Sequence, residues 1–168
     1  MKTNFIYSLN EESYLVDVNI LIKTLLSSME KVCYISLNKS AESIKESLKK
    51  NNIPDSNIVI VDMISSRFKK PSPKERVYYF DITNEKNTTK FIVEVIEKEK
   101  CEGVIIDSLS TMNIYYQEKE LQKFVHDLIV YSESNRVITN MIIQKKDEKE
   151  RWVEGIVPLV GKIKNIKF

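Results

Sequence analysis

The sequence contains very little glycine: three residues in 168, the first of them Gly103. A loop that wraps nucleotide phosphates, G-x-x-x-x-G-K-[ST], needs glycines because its backbone N–H groups must approach the phosphate closely. Where the first predicted strand passes into the first predicted helix, the chain has Asn10, Glu11, Glu12 and Ser13 instead. We expect both carboxylates in the first helical turn, where they would repel a triphosphate. The missing glycines therefore exclude a phosphate-binding loop at this position.

Histidine and cysteine are also scarce, which argues against a metal centre. The single histidine, His126, lies in a predicted helix without a nearby cysteine. The two cysteines, Cys33 and Cys101, lie in apolar surroundings near predicted strands. We expect reduced structural thiols, no metal site and no cofactor.

Long apolar runs are absent as well, and none approaches the roughly 20 residues that a membrane helix needs. The start of the chain lacks the apolar stretch of a signal peptide, so we expect a cytoplasmic protein without a membrane partner. The net charge of +2, with both signs interspersed, gives no reason to expect nucleic acid as a partner. The length fits one domain over residues 1–168.

Short apolar runs alternate with amphipathic segments along the chain. Such continuously apolar strands are buried on both faces, so the pattern predicts an α/β fold with a mostly parallel sheet and helices on both faces. The predicted strands are 4–9, 32–37, 58–61, 77–80, 103–107, 137–143 and 163–168. The predicted helices are 14–29 with Asn10 as its N-cap, one capped by Ser40, one from Asn87 or Thr88, one around 121–129, and a weak one at 152–159. The segment 65–75 is predicted to be a loop.

Three segments in order carry a family resemblance. Residues 103–111 (GVIIDSLST) are predicted to be an apolar strand that ends on Asp107, followed by a loop from Ser108. Residues 31–37 (KVCYISL) are another predicted strand, and residues 121–128 (LQKFVHDL) belong to a following helix. Together they resemble the RecA-like ATPases of the KaiC group, in particular their short single-domain archaeal relatives. The resemblance implies a RecA-like three-layer sandwich. It also implies that Asp107 matches the Walker B acid, which in active members helps to hold Mg²⁺, usually through water.

Parts of the family's catalytic machinery have no counterpart in this sequence. Residues 10–13 carry neither the glycines nor the lysine of a Walker A loop. In active relatives the second strand ends in two glutamates, one of which activates the attacking water; those positions here are Asn38 and Lys39. Neither an amide nor an ammonium group can take a proton from water. Lys23 and Thr24 lie several turns inside the first helix and do not replace the missing lysine.

These departures predict a pseudo-ATPase: not an enzyme, with no catalytic residue, and with Asp107 and Ser108 as a remnant of Walker B. Phosphoryl transfer depends on positioning and charge stabilisation, and the groups that provide both are missing. We expect a protein-interaction, scaffold or regulatory module. RecA-like domains commonly assemble side by side, so we expect a homo-oligomer, most simply a C₂ dimer, or docking on an active ATPase or signalling protein. The alternative is weak nucleotide binding, or an ATPase subunit completed by a partner's residues.

The role of Asp107 itself stays open at this stage. It could bind a cation or polar ligand at the carboxyl end of the sheet, where ligands bind in open α/β folds. The interpretation we favour is a structural acid that is hydrogen-bonded to Ser108, Ser110 or Thr111. Glu11 and Glu12 could likewise be metal ligands facing Asp107, or ordinary partners of a helix dipole.

A phosphoacceptor receiver domain is a second fold alternative. Acids at Glu11 and Glu12, then Asp62, Ser108 and Lys145, imitate its order of functional residues along the chain. Receiver spacing is much tighter, however, and residues 65–80 add an extra strand and loop. We therefore regard this alternative as remote.

The surface most suited to protein contact is predicted in residues 65–80, where prolines, aromatic residues and basic residues interleave. The basic residues there, Arg67, Lys69 and Lys70 among them, could hold an anion or simply be solvated. Tyr78 and Tyr79 are candidate contact residues. The final strand, 163–168, is a second candidate, although its lysines should discourage pairing with other chains.

Overall fold

Seven strands form one sheet in the computed structural model, which describes residues 3–166. Each pair of neighbouring strands is parallel, and their order across the sheet is β4-β3-β2-β5-β6-β1-β7. The strands are β1 (Asn4–Leu9), β2 (Val32–Ser36), β3 (Ile58–Asp62), β4 (Val77–Tyr79), β5 (Gly103–Asp107), β6 (Ile138–Gln144) and β7 (Ile163–Lys164). This arrangement confirms the predicted α/β fold with its parallel sheet.

Six helices cover the two faces of the sheet. They are α1 (Tyr14–Leu26), α2 (Ala41–Lys50), α3 (Thr88–Glu99), α4 (Leu109–Tyr115), α5 (Glu118–Asn135) and α6 (Arg151–Val160). The apolar sides of α1 and α2 form one core with the sheet, and those of α3 to α6 form the other. Both cores therefore enclose the central strands, as the three-layer prediction requires. In residues 3–166 no helix has the length and apolar character to cross a bilayer.

The start of α1 differs from the prediction. The helix begins at Tyr14 with Ser13 as its N-cap residue, so Asn10 is not the N-cap. Glu11 and Glu12 lie in the preceding turn and are exposed, so the placement of both carboxylates in the first helical turn was wrong. The acid that does occupy the first turn is Asp17, which accepts a hydrogen bond from the Ser13 hydroxyl at 2.8 Å.

Two further predictions need adjustment. The residues that follow β5 were predicted to be a loop, but they form the short helix α4. The final strand is only Ile163–Lys164, paired with β1 at the edge of the sheet. Residues 167 and 168, which the prediction included, lie outside the described residues. The segment 65–75 is irregular apart from a 3₁₀ turn at Ser65–Arg67, as expected for a loop.

The scarcity of glycine is visible where helices end. Helices α2, α3 and α5 each end in a left-handed residue, and these residues are Asn52 (φ 55°), Lys100 (φ 57°) and Arg136 (φ 57°). The next residue in each case donates back into the last turn: Ile53 to Leu48 (2.9 Å), Cys101 to Ile96 (3.0 Å) and Val137 to Ser132 (3.0 Å). This is the Schellman arrangement, in which glycine is the usual left-handed residue. An L-residue costs about 1–2 kcal/mol in that conformation.

We therefore expect the substitution Arg136→Gly to stabilise the protein. Glycine removes the steric cost at φ 57° but makes the unfolded chain more flexible, which leaves a net gain of about 0.5–1 kcal/mol. The matched control is Glu133→Gly, at an exposed position inside α5, which should cost about 1 kcal/mol. Urea unfolding measures both free energies. Equal destabilisation by the two glycines would contradict this account of the helix end.

Candidate functional site

Two buried acids lie at the carboxyl edge of the sheet, one on each side of β2. β2, β3 and β5 end in register, so that Ser36 is paired with Asp62 on one side and with Asp107 on the other. Asp62 is fully buried and Asp107 is 2% exposed. Burial of a charged carboxylate is unfavourable unless hydrogen bonds compensate for the lost water, so the partners of each acid indicate its role.

Three side chains surround the Asp107 carboxylate. Oδ1 accepts hydrogen bonds from the Tyr14 hydroxyl and from Asn38 Nδ2, the latter at 2.9 Å. Oδ2 accepts from the Tyr34 hydroxyl. Tyr14 is the first residue of α1, Tyr34 lies inside β2, and Asn38 follows β2. The two oxygens of the acid are therefore held by donors from the chain itself.

The expected partners of Asp107 were wrong. Ser108 caps α4, where its hydroxyl accepts from the Thr111 backbone N–H at 3.2 Å. The Ser110 hydroxyl accepts from the backbone N–H of Gln144 at 2.8 Å. Thr111 donates its hydroxyl to Asn38 Oδ1, so Asn38 bridges α4 and the acid. The three hydroxyl residues thus hold the surroundings of the acid, while two tyrosines hold the acid itself.

Tyr14 and Tyr34 were not among the predicted site residues. Tyr34 is the only residue of β2 with a large polar-tipped side chain, and it pairs with Ile105, two residues before Asp107 on the neighbouring strand. Side chains two residues apart in a strand share a face. A tyrosine at that register position, beside a strand-end acid, was therefore a usable signal. Tyr14 offered none, because its contact depends on the exact start of α1.

The space beside Asp107 is small. A cavity of about 20 Å³ lies between α1 and α2 and is lined by Leu15, Val18, Tyr34, Lys39 and Asp107, among others. About 10–15 Å³ holds one water molecule, and a site for a drug-sized ligand measures about 300–1,000 Å³. The cavity has room for a water molecule and none for a nucleotide.

The electrostatics of the cluster follow from its burial. Burial raises the pKa of Asp107, and the hydrogen bonds from Tyr14, Tyr34 and Asn38, together with the Lys39 charge, partly offset this rise. Burial and the neighbouring acid raise the pKa of both tyrosines as well. Tyr14 and Tyr34 are consequently protonated at neutral pH and remain hydrogen-bond donors to Asp107.

Of the other predicted site residues, Lys39 lines the same cavity as Asp107, and residues 10–13 do not contact the acid. Asn10, Glu11 and Glu12 are exposed, and Ser13 bonds to Asp17. The backbone N–H of Lys39 donates to the Ser36 hydroxyl at 3.0 Å. Among residues 3–166, His, Cys, Asp and Glu side chains form no group of three that could hold a metal ion. Cys33 and Cys101 are both buried free thiols.

Asp62 has a separate, structural set of partners. Oδ1 accepts from the backbone N–H groups of Ile64 (3.0 Å) and Ser65 (2.9 Å). Oδ2 accepts from the Ala41 N–H (2.9 Å) and from the Ser65 hydroxyl (2.5 Å). The acid thereby joins the loop after β3 to the start of α2.

The receiver alternative is contradicted by this geometry. Asp62, the candidate phosphoacceptor, is fully buried, and its carboxylate accepts four hydrogen bonds from the chain. Lys145 follows β6, which is separated from β3 by β2 and β5. The strand order also differs from the 2-1-3-4-5 order of receiver-like folds.

Replacement of each acid by asparagine should change the free energy of unfolding by different amounts. In Asp107→Asn, the amide oxygen can still accept the hydrogen bonds from Tyr14 and Asn38, and the NH₂ group can donate to a reoriented Tyr34 hydroxyl. We therefore expect the free energy of unfolding to change by no more than about 1 kcal/mol. In Asp62→Asn, at least one backbone N–H loses its acceptor in either amide orientation. We expect a loss of about 2 kcal/mol. Urea unfolding of both variants measures the contrast, and equal losses would contradict it.

The stability difference between wild type and Asp107→Asn should depend on pH. The folded-state pKa of Asp107 lies above its usual value of 3.8, so the folded protein holds this proton more tightly than the unfolded chain. That stabilisation is complete below pH 3.8 and is lost as pH rises through the folded pKa. From pH 4 upward, wild type should therefore lose stability relative to the variant. Urea unfolding of both proteins at several pH values between about 3.5 and 7 measures the difference between their free energies of unfolding. A gain in wild-type stability relative to the variant as pH rises would contradict the raised pKa of Asp107.

Comparison with known proteins agrees with this fold. No protein-family model and no curated protein matches the chain by sequence. Among solved structures, 130 chains match its fold. One is the crystal structure of the KaiC-like protein PH0186 from the hyperthermophilic archaeon Pyrococcus horikoshii OT3. Its TM-score is 0.67, with 99% of this chain and 74% of that chain covered, at 14% sequence identity. At this identity the likeness is one of fold, and the RecA/KaiC-like fold that the sequence resemblance implied is confirmed.

Proposed function

We propose that this protein is a catalytically inactive RecA/KaiC-like domain that acts through protein contacts. One observation carries the proposal: the acid at the Walker B position accepts hydrogen bonds from Tyr14, Tyr34 and Asn38, which fill three of about four acceptor positions of a carboxylate. In an active relative this acid helps to hold Mg²⁺ through water. Here hydroxyl and amide donors from the chain take the positions that metal-bound water would need.

The entry to the site supports the same conclusion. The turn between β1 and α1 presents exposed Glu11 and Glu12 where a phosphate cradle would present backbone N–H groups and a lysine. Tyr14 then starts the helix and points its hydroxyl at Asp107. The cavity that remains beside the acid measures about 20 Å³. A triphosphate would meet negative charge at the entry and filled space behind it.

The position of the water-activating base also lacks that chemistry. Asn38 donates to Asp107 and accepts from Thr111, so both ends of its amide take part in the cluster. Lys39 is part of the turn that its backbone forms with Ser36. Neither group can act as a general base.

We expect neither ATP binding at millimolar nucleotide nor hydrolysis, with or without Mg²⁺ or Mn²⁺. Calorimetric titration with Mg-ATP and a phosphate-release assay measure both. The cations alone should leave the melting temperature unchanged, because a site without affinity gives no stabilisation by mass action. Micromolar ATP affinity, or turnover that Asp107→Asn abolishes, would support instead the alternative of an ATPase completed by a partner's residues.

A contact surface is available at the same edge of the sheet. Phe68 is 82% exposed and Ile114 is 77% exposed. The Arg67 guanidinium lies 5.8 Å from the Phe68 ring centroid and 5.1 Å from that of Tyr115, and it donates to the Tyr115 hydroxyl at 2.9 Å. We call Arg67, Phe68, Ile114 and Tyr115 the aromatic patch. Arginine and aromatic side chains are enriched at interfaces and among the residues that dominate binding energy.

Tyr78 and Tyr79 have other roles than the predicted contact. Tyr78 packs against the core on the α3 side and donates to Glu99 at 2.5 Å. Tyr79 packs against the opposite core, on the α2 side. Removing either aromatic ring would disturb the packing of a core, so Phe68 and Ile114 are the better test positions.

We infer that the occupant of the aromatic patch is a second copy of this chain, in a C₂ dimer. The net charge of +2 gives little overall repulsion between copies. In a C₂ contact each patch meets the same patch, so Lys69 and Lys70, which are exposed directly after Phe68, approach their own counterparts. Salt should screen this repulsion and strengthen the dimer, whereas it would weaken contact with an acidic partner.

We expect light scattering to show a dimer at micromolar concentration. The dissociation constant of this dimer should fall as salt is added. Phe68→Ser and Ile114→Gln should each shift it towards monomer, because each removes an exposed apolar side chain from the patch. The control is Val130→Gln, at a position on α5 that is 49% exposed, and it should leave the dimer intact.

Two results would count against this surface. A strictly monomeric wild type would overturn self-association through the aromatic patch. A dimer that resists both patch variants but is broken by Val130→Gln would place the contact on the α5 side.

A further inference from the structure

A pocket of about 260 Å³ lies beside the loop after β3, next to the aromatic patch, and its lining includes Lys69 and Lys70 from the edge of the proposed dimer contact. Lys69, Lys70 and Lys74 line it together with Glu42, Ser72 and Tyr79. We call it the basic pocket. It lies between the start of α2, the loop 65–75 and the last residue of β4, whereas the small cavity beside Asp107 lies between α1 and α2.

The charges of the basic pocket are unbalanced. Lys74 forms an ion pair with Glu42 at 2.8 Å, which accounts for one lysine and the one lining acid. Lys69 and Lys70 form no ion pair with any residue in the range 3–166. Two ammonium groups at one pocket attract an anion, and each acts as a point charge with three donors.

Tyr79, which lines the pocket, carries a buried hydroxyl without a partner among residues 3–166. The Tyr79 hydroxyl is shielded from solvent and has no hydrogen-bond partner in the described part of the chain. An unsatisfied buried polar group of this kind destabilises a protein by about 1–3 kcal/mol. Burial raises the pKa of Tyr79, so the hydroxyl keeps its proton and can donate it. An acceptor atom in the pocket would satisfy this group.

The remaining polar groups define what the ligand would contact. The Ser65 hydroxyl is already donated to Asp62 at 2.5 Å, so it is not a free donor. Asp62 lies close enough to affect Tyr79, but its oxygens are filled by four donors and do not compete for the lysines. Lys69, Lys70, Ser72 and Tyr79 are therefore the donors available to a ligand, and a lining with donors in excess suits an oxyanion.

We propose that the basic pocket binds a phosphate-type dianion, either inorganic phosphate or the phosphate group of a small phosphate monoester. Lys69 and Lys70 supply the charge, and Tyr79 and Ser72 donate hydrogen bonds to the phosphate oxygens. The volume of 260 Å³ lies just below the range of about 300–1,000 Å³ for drug-sized ligands, which fits a phosphate with a small organic body.

Calorimetric titrations with inorganic phosphate and with glycerol 3-phosphate, at constant ionic strength, test the proposal. We expect saturable 1:1 binding. The probe that binds more tightly shows whether the pocket prefers the free ion or a phosphate monoester. Lys69→Gln/Lys70→Gln and Tyr79→Phe should each weaken binding about tenfold, because each removes hydrogen bonds to a charged ligand. The control is Lys49→Gln/Lys50→Gln, an exposed lysine pair on α2 with the same loss of charge, and it should leave the affinity unchanged.

Tyr79→Phe provides a second, independent readout. It removes a hydroxyl that has no partner, so the variant should melt at a higher temperature than wild type in the absence of phosphate. A lower melting temperature would show that the hydroxyl has a structural partner and would overturn its assignment as a ligand contact.

The remaining outcomes overturn the proposal or separate it from the dimer. Absence of saturable binding, or equal weakening by both lysine pairs, would overturn the basic pocket as a specific site. Tighter binding of single-stranded RNA than of either small probe would overturn the small-molecule assignment. Phe68→Ser should keep phosphate affinity while it weakens the dimer, so failure of one proposal is distinguishable from failure of the other.

Discussion

The buried carboxylate of Asp107 is the constraint on which the site depends. A charge at 2% exposure needs donors, and here they come from three separate elements: the first residue of α1, the middle of β2 and the turn after β2. Because one group ties these elements together, the cluster closes the carboxyl edge of the sheet as well as satisfying the acid. The 20 Å³ cavity beside Asp107 is a consequence of that closure.

The shortage of glycine acts on this structure in two ways. Between β1 and α1 it leaves a turn that cannot wrap a phosphate, and a tyrosine reaches the acid from the first position of the helix. At the ends of α2, α3 and α5 it forces Asn52, Lys100 and Arg136 into left-handed conformations that glycine would adopt without strain. The fold accepts these costs because buried residues such as Ile53 and Val137 follow directly and anchor each turn.

Much of the fold could be predicted from the sequence, and the closed site could not. Apolar runs such as 58–61 and 103–107 are strands in the structure because a parallel sheet buries both of their faces. Helix α4 was missed because it has only seven residues, too few to show a clear helical period. The partners of Asp107 were missed because hydroxyls next to it in sequence were the obvious candidates. Those hydroxyls bond to α4, Gln144 and Asn38 instead, and the tyrosines come from 93 and 73 residues away.

The most direct test of the closed site observes the tyrosine hydroxyl protons themselves. Buried, hydrogen-bonded hydroxyl protons of Tyr14 and Tyr34 exchange slowly with water and give resolved NMR signals. Assignment by Tyr14→Phe and Tyr34→Phe identifies each one. Our account predicts that both signals stay at the same position when millimolar Mg-ATP is added, because Asp107 keeps its internal donors. Loss or displacement of either signal on addition of Mg-ATP would show that the cluster opens to nucleotide and would contradict the account.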